Sequence, residues 1–249
     1  MSQGSSLWSD AWRRLLANKA AVAGGLILSI LIILAIFAPW IAPHSYAYQN
    51  LELGAQAPSG DFLLGTDTLG RDLFSRILFG ARVSLLVGFV ATGVALVIGV
   101  SWGIVAGYFG GRIDSVMMRI VDVLYGLPFI IFIILLMVIF GRNIWLLFGA
   151  IGAVEWLTMA RIVRGQVLTI KNQEYVLAAQ AMGVSNIQMF RKHIFPNILG
   201  PIAVYATLTI PQVMLLEAFL SFLGLGIQPP MSSWGTLIRY GVESMEEYS

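Results

Sequence analysis

The chain has 249 residues, of which 58% are hydrophobic and only 11% charged, and its mean hydropathy is +0.82. Soluble globular domains carry about 25% charged residues, so a chain this apolar has lipid as its main solvent. A net charge of +2 makes no electrostatic case for nucleic acid, and the absence of cysteine excludes disulfides, thiol catalysis and Cys-ligated metal.

At the N-terminus, Leu7, Trp8, Ala11, Trp12 and Leu15 repeat at helical spacing, which predicts a segment lying along the cytoplasmic interface over residues 1–19. Arg13, Arg14 and Lys19 then precede an apolar run over 20–38. That run exceeds the 7–15 residues of a signal-peptide core, and Pro39 follows directly, so it reads as a retained membrane helix. Crossing about 30 Å of hydrocarbon takes about 20 apolar residues in a helix. Five segments qualify: 22–42, 83–109, 117–140, 144–160 and 198–225. The fold class is therefore all-α, a polytopic transmembrane helical bundle, with 20–249 as the membrane domain. With the N-terminus inside, ten of the fifteen Lys and Arg residues fall on the cytoplasmic side, as the positive-inside rule requires.

Between the first two spans, 44–81 is read as an extracytoplasmic segment whose second half (Leu69, Leu73, Phe74, Ile77, Leu78) has a helical period. Its Gly65-Thr66-Asp67-Thr68-Leu69-Gly70-Arg71-Asp72 stretch shares only two glycines with a phosphate loop and puts Arg71 and Asp72 where Lys and Ser or Thr are needed. Nucleotide binding there is rejected. In the second span, Gly99, Gly103 and Gly107 form a ladder that lets a neighbouring helix approach closely. Pro128 and Pro211, inside the third and fifth spans, predict kinks and are the candidate hinges.

Three carboxylates fall in or near spans, where a mid-bilayer charge costs about 2.5–3.5 kcal/mol. Asp122 can pair with Arg119 at i, i+3, and Glu155 lies one and a half turns from Arg161. Glu217 has no local partner, which makes it the candidate for the translocation path; a structural hydrogen bond is its weightier reading. His44 and His193 are too far apart to hold a metal together, and no catalytic motif occurs.

The longest cytoplasmic piece, 161–197, carries the strongest signal. Glu174 to Gly183 reads as a short helix with Tyr175, Ala178, Ala179 and Met182 on one face. Gly183 can end it in the left-handed region, and Ser185 can cap a second helix broken before Pro196. This loop resembles the cytoplasmic signature of ABC importer permeases: Ala178, Ala179, Gly183 and Pro196 stand at the family spacing, while Leu177 occupies the position of the family's Glu. The stretches 64–73, 107–111, 159–166 and 220–230 resemble the peptide/nickel branch, most closely the second permease of oligopeptide systems.

The resemblance implies a type I permease fold with a sixth span expected after this chain's end, hence a truncated chain. It implies a bacterial inner-membrane protein that catalyses nothing itself and borrows ATP and Mg chemistry from partners. Those partners would be a homologous second permease, two cytoplasmic ABC ATPases and an extracytoplasmic peptide-binding protein. Glu174, Tyr175, Leu177, Ala178, Ala179, Met182, Gly183 and Pro196 would form the ATPase-coupling loop. Dipeptides, nickel or another small peptide-like solute are the alternative cargoes. An ion-coupled secondary transporter using Asp122, Glu155 and Glu217 is the alternative from another class.

Overall fold

A computed structural model describes residues 7–141 and 143–247. Apart from one isolated bridge between Thr66 and Asp72, the regular structure of these residues is helical. The chain divides into two compact units, one ending at Arg82 and one starting at Val83.

In the first unit, α1 (Leu7–Ala17) leads into α2 (Lys19–Ile41), whose start is capped by Asn18, its side chain accepting from the Ala21 amide at 3.2 Å. The segment that follows is organised by the 65–72 stretch. Asp67 accepts from Arg71 Nε at 2.7 Å and from an Arg76 terminal nitrogen at 2.6 Å, and its other oxygen takes the Leu69 and Arg71 amides. Arg76 is only 1% exposed, so this pairing lets two buried guanidiniums share one carboxylate. Gly65 (φ +75°) and Gly70 (φ +67°) are obligatory: a Cβ at either would run into the carbonyl of Gln56 or Asn50. The two glycines that superficially resembled a phosphate loop thus close a tight loop around an ion-pair knot. The separate outer helix expected within 44–81 does not exist as such. Residues 73–81 are the opening turns of α3 (Leu73–Phe109), a single helix of 37 residues.

In the second unit, the residues of α3 from Val83 onward pack against α6 (Ile144–Lys171). A Cβ at Gly99 would meet the Trp156 carbonyl at 2.7 Å; at Gly103, the Ala160 carbonyl at 2.5 Å; at Gly107, the Arg164 carbonyl at 3.0 Å. Each four-residue step along α3 meets a similar step along α6, so the two helices run parallel with their backbones in contact. Gly152 of α6 reciprocates, seated on Ala91 and Val94. This contact leaves α6 the most enclosed helix, with Leu147, Ile151, Leu157, Ala160, Val163 and Val167 fully buried.

The third span is not continuous. α4 (Gly111–Tyr125) and α5 (Phe129–Ile139) meet at a 75° bend. Pro128 stands at the N-cap of α5 rather than inside a helix, because proline disfavours helical geometry in the residue before it and has no N–H to donate. α6 also outruns its expected end at 160 by eleven residues, to Lys171. Its polar extension is held by partners: Arg164 makes a two-pronged ion pair with Asp114 of α4, and Arg161 pairs with Asp122 at 2.8 Å and lies over the Tyr125 ring. Asp122 therefore pairs across helices, not with Arg119 as its spacing suggested.

After α7 (Glu174–Ala181), α8 (Asn186–Met189) runs through a π-helical turn (Phe190–Ile194) into α9 (Phe195–Phe222) without the break expected before Pro196. Pro196 lies in the first turn of α9, directly after the π-helical turn. Pro201 and Pro211 lie inside α9, which stays one helix through both, so Pro211 marks no interruption. α10 (Trp234–Glu247) closes the described chain and packs on α9.

The glycine ladder yields a direct expectation. Gly103→Ala should lower the thermal unfolding midpoint of the detergent-solubilised protein, by an overpacking penalty of about 1–3 kcal/mol. Gly149→Ala, on α6 with no atom within 4 Å of the added carbon, should leave it unchanged or raise it.

Candidate coupling site

α7 is short, and its conformation is fixed at its C-terminus. The Val184 amide reaches back to the Ala179 carbonyl at 3.2 Å and the Gly183 amide to the Gln180 carbonyl at 3.0 Å, with Gly183 at φ +79°. These paired bonds around a left-handed residue are the Schellman ending, and they turn the chain sharply toward α8. Ser185 then caps α8, its hydroxyl accepting from the Gln188 amide at 3.4 Å, as the sequence suggested.

The two faces of α7 differ in kind. Val176 and Ala179 are buried in an apolar cluster with Met159, Val163 and Val167 of α6, Met189 of α8, and Ile198 of α9. Glu174, Tyr175, Leu177, Ala178 and Met182 face outward, Met182 with 78% of its surface free. The face expected from spacing grouped Tyr175, Ala178, Ala179 and Met182; the structure separates Ala179, 3% exposed, from the rest. An alanine at that position lets α7 sit close to the bundle, and its neighbour Ala178 leaves the outer surface low. Tyr175, one of the outward residues, has its ring 6.2 Å from that of His193 in the π turn.

Polar bonds fasten the same end of the bundle. Lys171, the last residue of α6, donates to the Tyr108 carbonyl of α3 at 2.6 Å, and the Tyr108 hydroxyl donates to Asn186 Oδ1 of α8 at 2.9 Å. With the Arg164–Asp114 pair, these bonds tie α3, α4, α6 and α8 together around the cluster that holds α7. Val176, Tyr108 and Asp114 escaped the sequence reading. Val176, an apolar residue three before Ala179, was the available signal for the inner face.

Glu217 lies elsewhere, on α9, with 0% exposure. It accepts from Ser221 Oγ, one turn on, at 2.6 Å and from Ser84 Oγ of α3 at 3.4 Å, and Ser84 Oγ in turn accepts the Trp234 amide of α10 at 3.1 Å. The residue read as a candidate for the translocation path is thus enclosed by this chain's own helices, in a hydroxyl-lined knot joining α3, α9 and α10. Ser221, at i+4, was a visible partner; Ser84, 133 positions away, was not. Glu155 makes no hydrogen bond among the described residues, and no direct hydrogen bond there joins Asp122, Glu155 and Glu217 to one another. Glu217→Ala strands two buried hydroxyls and should destabilise the protein by about 1–3 kcal/mol, measured as a fall in unfolding midpoint, with Glu217→Gln falling less.

Comparison with known proteins places this architecture. Residues 99–245 match the family described as binding-protein-dependent transport system inner membrane component, and residues 6–58 match the N-terminal TM domain of oligopeptide transport permease C. The chain is 50% identical over 246 residues to the oligopeptide transport system permease protein OppC of Haemophilus influenzae, covering 98% of this chain and 79% of that one. It is 50% identical over 240 residues to the dipeptide transport system permease protein DppC of Bacillus subtilis, covering 96% and 75%. It is 49% identical over 247 residues to the OppC of Escherichia coli, covering 98% and 82%. The match over residues 99–245 takes in α4 to α9, where the candidate coupling site lies, and the chain belongs to the family of inner membrane components of binding-protein-dependent transport systems, as an OppC-type ABC peptide permease.

Proposed function

We propose that this chain forms one half of the translocation path of an ATP-driven oligopeptide importer and receives the power stroke through α7. The single observation that carries this reading is the one-sided burial of α7. Its inner face is packed into the cluster shared by α6, α8 and α9, while its outer face presents a low, exposed surface with Tyr175, Leu177, Ala178 and Met182. Such a helix transmits force: a partner that grips the outer face moves α6 and α9 with it, because the contacts between them are close-packed.

In this reading two cytoplasmic ATPases bind and hydrolyse ATP with Mg, and none of that chemistry occurs on this chain. A homologous permease supplies the other wall, and an extracytoplasmic binding protein delivers the peptide. The N-terminus is cytoplasmic, which the distribution of Lys and Arg supports. Closure of the ATPase pair displaces α7, and the attached spans swing to open the path to one side at a time. Leu177, where the related signature has Glu, makes the docking contact apolar at that point. Dipeptide cargo is a second reading, favoured by the equal identity to the dipeptide permease of Bacillus subtilis.

The two alanines separate docking from folding. Ala178→Trp should abolish co-purification of the ATPases while leaving the permease's own unfolding midpoint near wild type. Ala179→Trp should lower that midpoint, by about 1–3 kcal/mol of overpacking. ATPase recovery with Ala178→Trp equal to wild type would show that this face does not dock. Gly183→Val forces a β-branched residue to φ +79°, and proteoliposomes bearing it should hydrolyse ATP with peptide uptake severely reduced. Uptake of labelled di- and pentapeptides in the wild-type system distinguishes the two cargo readings.

A further inference from the structure

Two hollows meet where α3, α6 and α8 converge. One, of about 180 Å³, has Lys171, Gln180, Asn186 and Tyr108 among its walls. The other, of about 240 Å³, is walled by carbon from Ile104, Val105, Ile187 and Phe190. They share Tyr108, Phe109 and Asn186, so a polar pocket at the end of the spans opens into an apolar groove along the last turns of α3.

We propose that this pair of hollows is a binding site for one anionic glycerophospholipid, its phosphate at Lys171 and an acyl chain in the groove. The chemistry of each half matches. The Lys171 ammonium has three donors and spends one on the Tyr108 carbonyl at 2.6 Å, leaving two for a phosphate. Asn186 is held by the Tyr108 hydroxyl through its Oδ1, which leaves its amide nitrogen as a further donor in the wall of the pocket. Among the residues lining the polar pocket Lys171 is the one charged side chain, so no carboxylate there opposes an anion. Arg112, Arg191 and Lys192, all exposed, lie on adjoining segments and add to the local positive field.

The groove supplies what a soluble anion would not use. Val105 and Ile187 are exposed apolar side chains flanking it, and it descends from the polar end toward the middle of α3, the direction an acyl chain takes. The lipid would lie against Asn186 and Phe190, at the entry to α9 and beside the cluster that seats α7. Its headgroup would thereby brace the junction between coupling helix and span.

The test uses the assembled transporter, this chain with its partner subunits, in phosphatidylcholine vesicles containing phosphatidylglycerol with a photoreactive acyl chain. After irradiation, mass spectrometry should find adducts on peptides containing Ile104 to Phe109 and Ile187 to Phe190. Unlabelled phosphatidylglycerol should compete, and phosphatidylcholine of the same chains should not. Lys171→Gln should reduce labelling about fivefold, the loss expected for one basic residue at an anionic headgroup, and Lys171→Arg should restore it. Val105→Trp, at an exposed position that packing tolerates, should remove labelling by filling the groove. Equal competition by phosphatidylcholine, displacement by inorganic phosphate alone, adducts absent from these peptides because a partner subunit fills the groove, or labelling indifferent to Lys171→Gln and Val105→Trp would each overturn the proposal. Because the readout is adduct formation and not uptake, its failure leaves the transport reading standing.

Discussion

The backbone contact between α3 and α6 is the constraint on which the second unit depends. Three glycines at four-residue intervals on one helix, and Gly152 on the other, remove the side chains that would hold the axes apart. In lipid the hydrophobic effect gives little help in bringing apolar helices together, so close van der Waals packing has to do it. With α6 pressed against α3, the remaining helices have one central rod to pack on: α4, α5, α7 and α9 all touch it. The Arg164–Asp114 pair and the Lys171–Tyr108 bond follow from that geometry, since they sit where α6 continues beyond its most apolar stretch.

Charge is handled consistently. Apart from Glu155 within α6, which makes no hydrogen bond among the described residues, groups that would be costly in hydrocarbon cluster at helix ends or are enclosed with partners. Asp67 serves two arginines in the loop before α3; Asp114 and Asp122 take the arginines of α6; Glu217 is wrapped by hydroxyls contributed from helices distant in sequence. Each arrangement satisfies a polar group and joins elements at once. Such knots join helices that are distant in sequence: α3, α4, α6 and α8 at one end, and α3, α9 and α10 around Glu217.

Much of this was legible in the sequence, and for local reasons. Span positions follow from hydropathy over windows about as long as a bilayer is thick, the left-handed turn at Gly183 from a glycine ending a short helix, and the Ser185 cap from the residue type at a boundary. The glycine ladder announced a close helix contact but not its partner, because a ladder defines one surface only. The boundaries were less secure where a helix is polar. α6 runs to Lys171 and α3 begins at Leu73 because tertiary partners pair their charges, and hydropathy counts those charges as loop.

What the sequence determined alone was the solvent, the number of apolar segments, the turn chemistry around α7 and the absence of catalytic motifs. Only the tertiary structure decided that Pro128 divides a bent pair while Pro211 interrupts nothing, that Asp122 belongs to Arg161, that Glu217 is enclosed, and that Ala179 looks inward while Ala178 looks out. The physical reason is the same in each case. Adjacent residues on a helix point about 100° apart whatever their neighbours are, but which direction is buried depends on where other helices lie, and those are set by contacts between positions far apart in the chain.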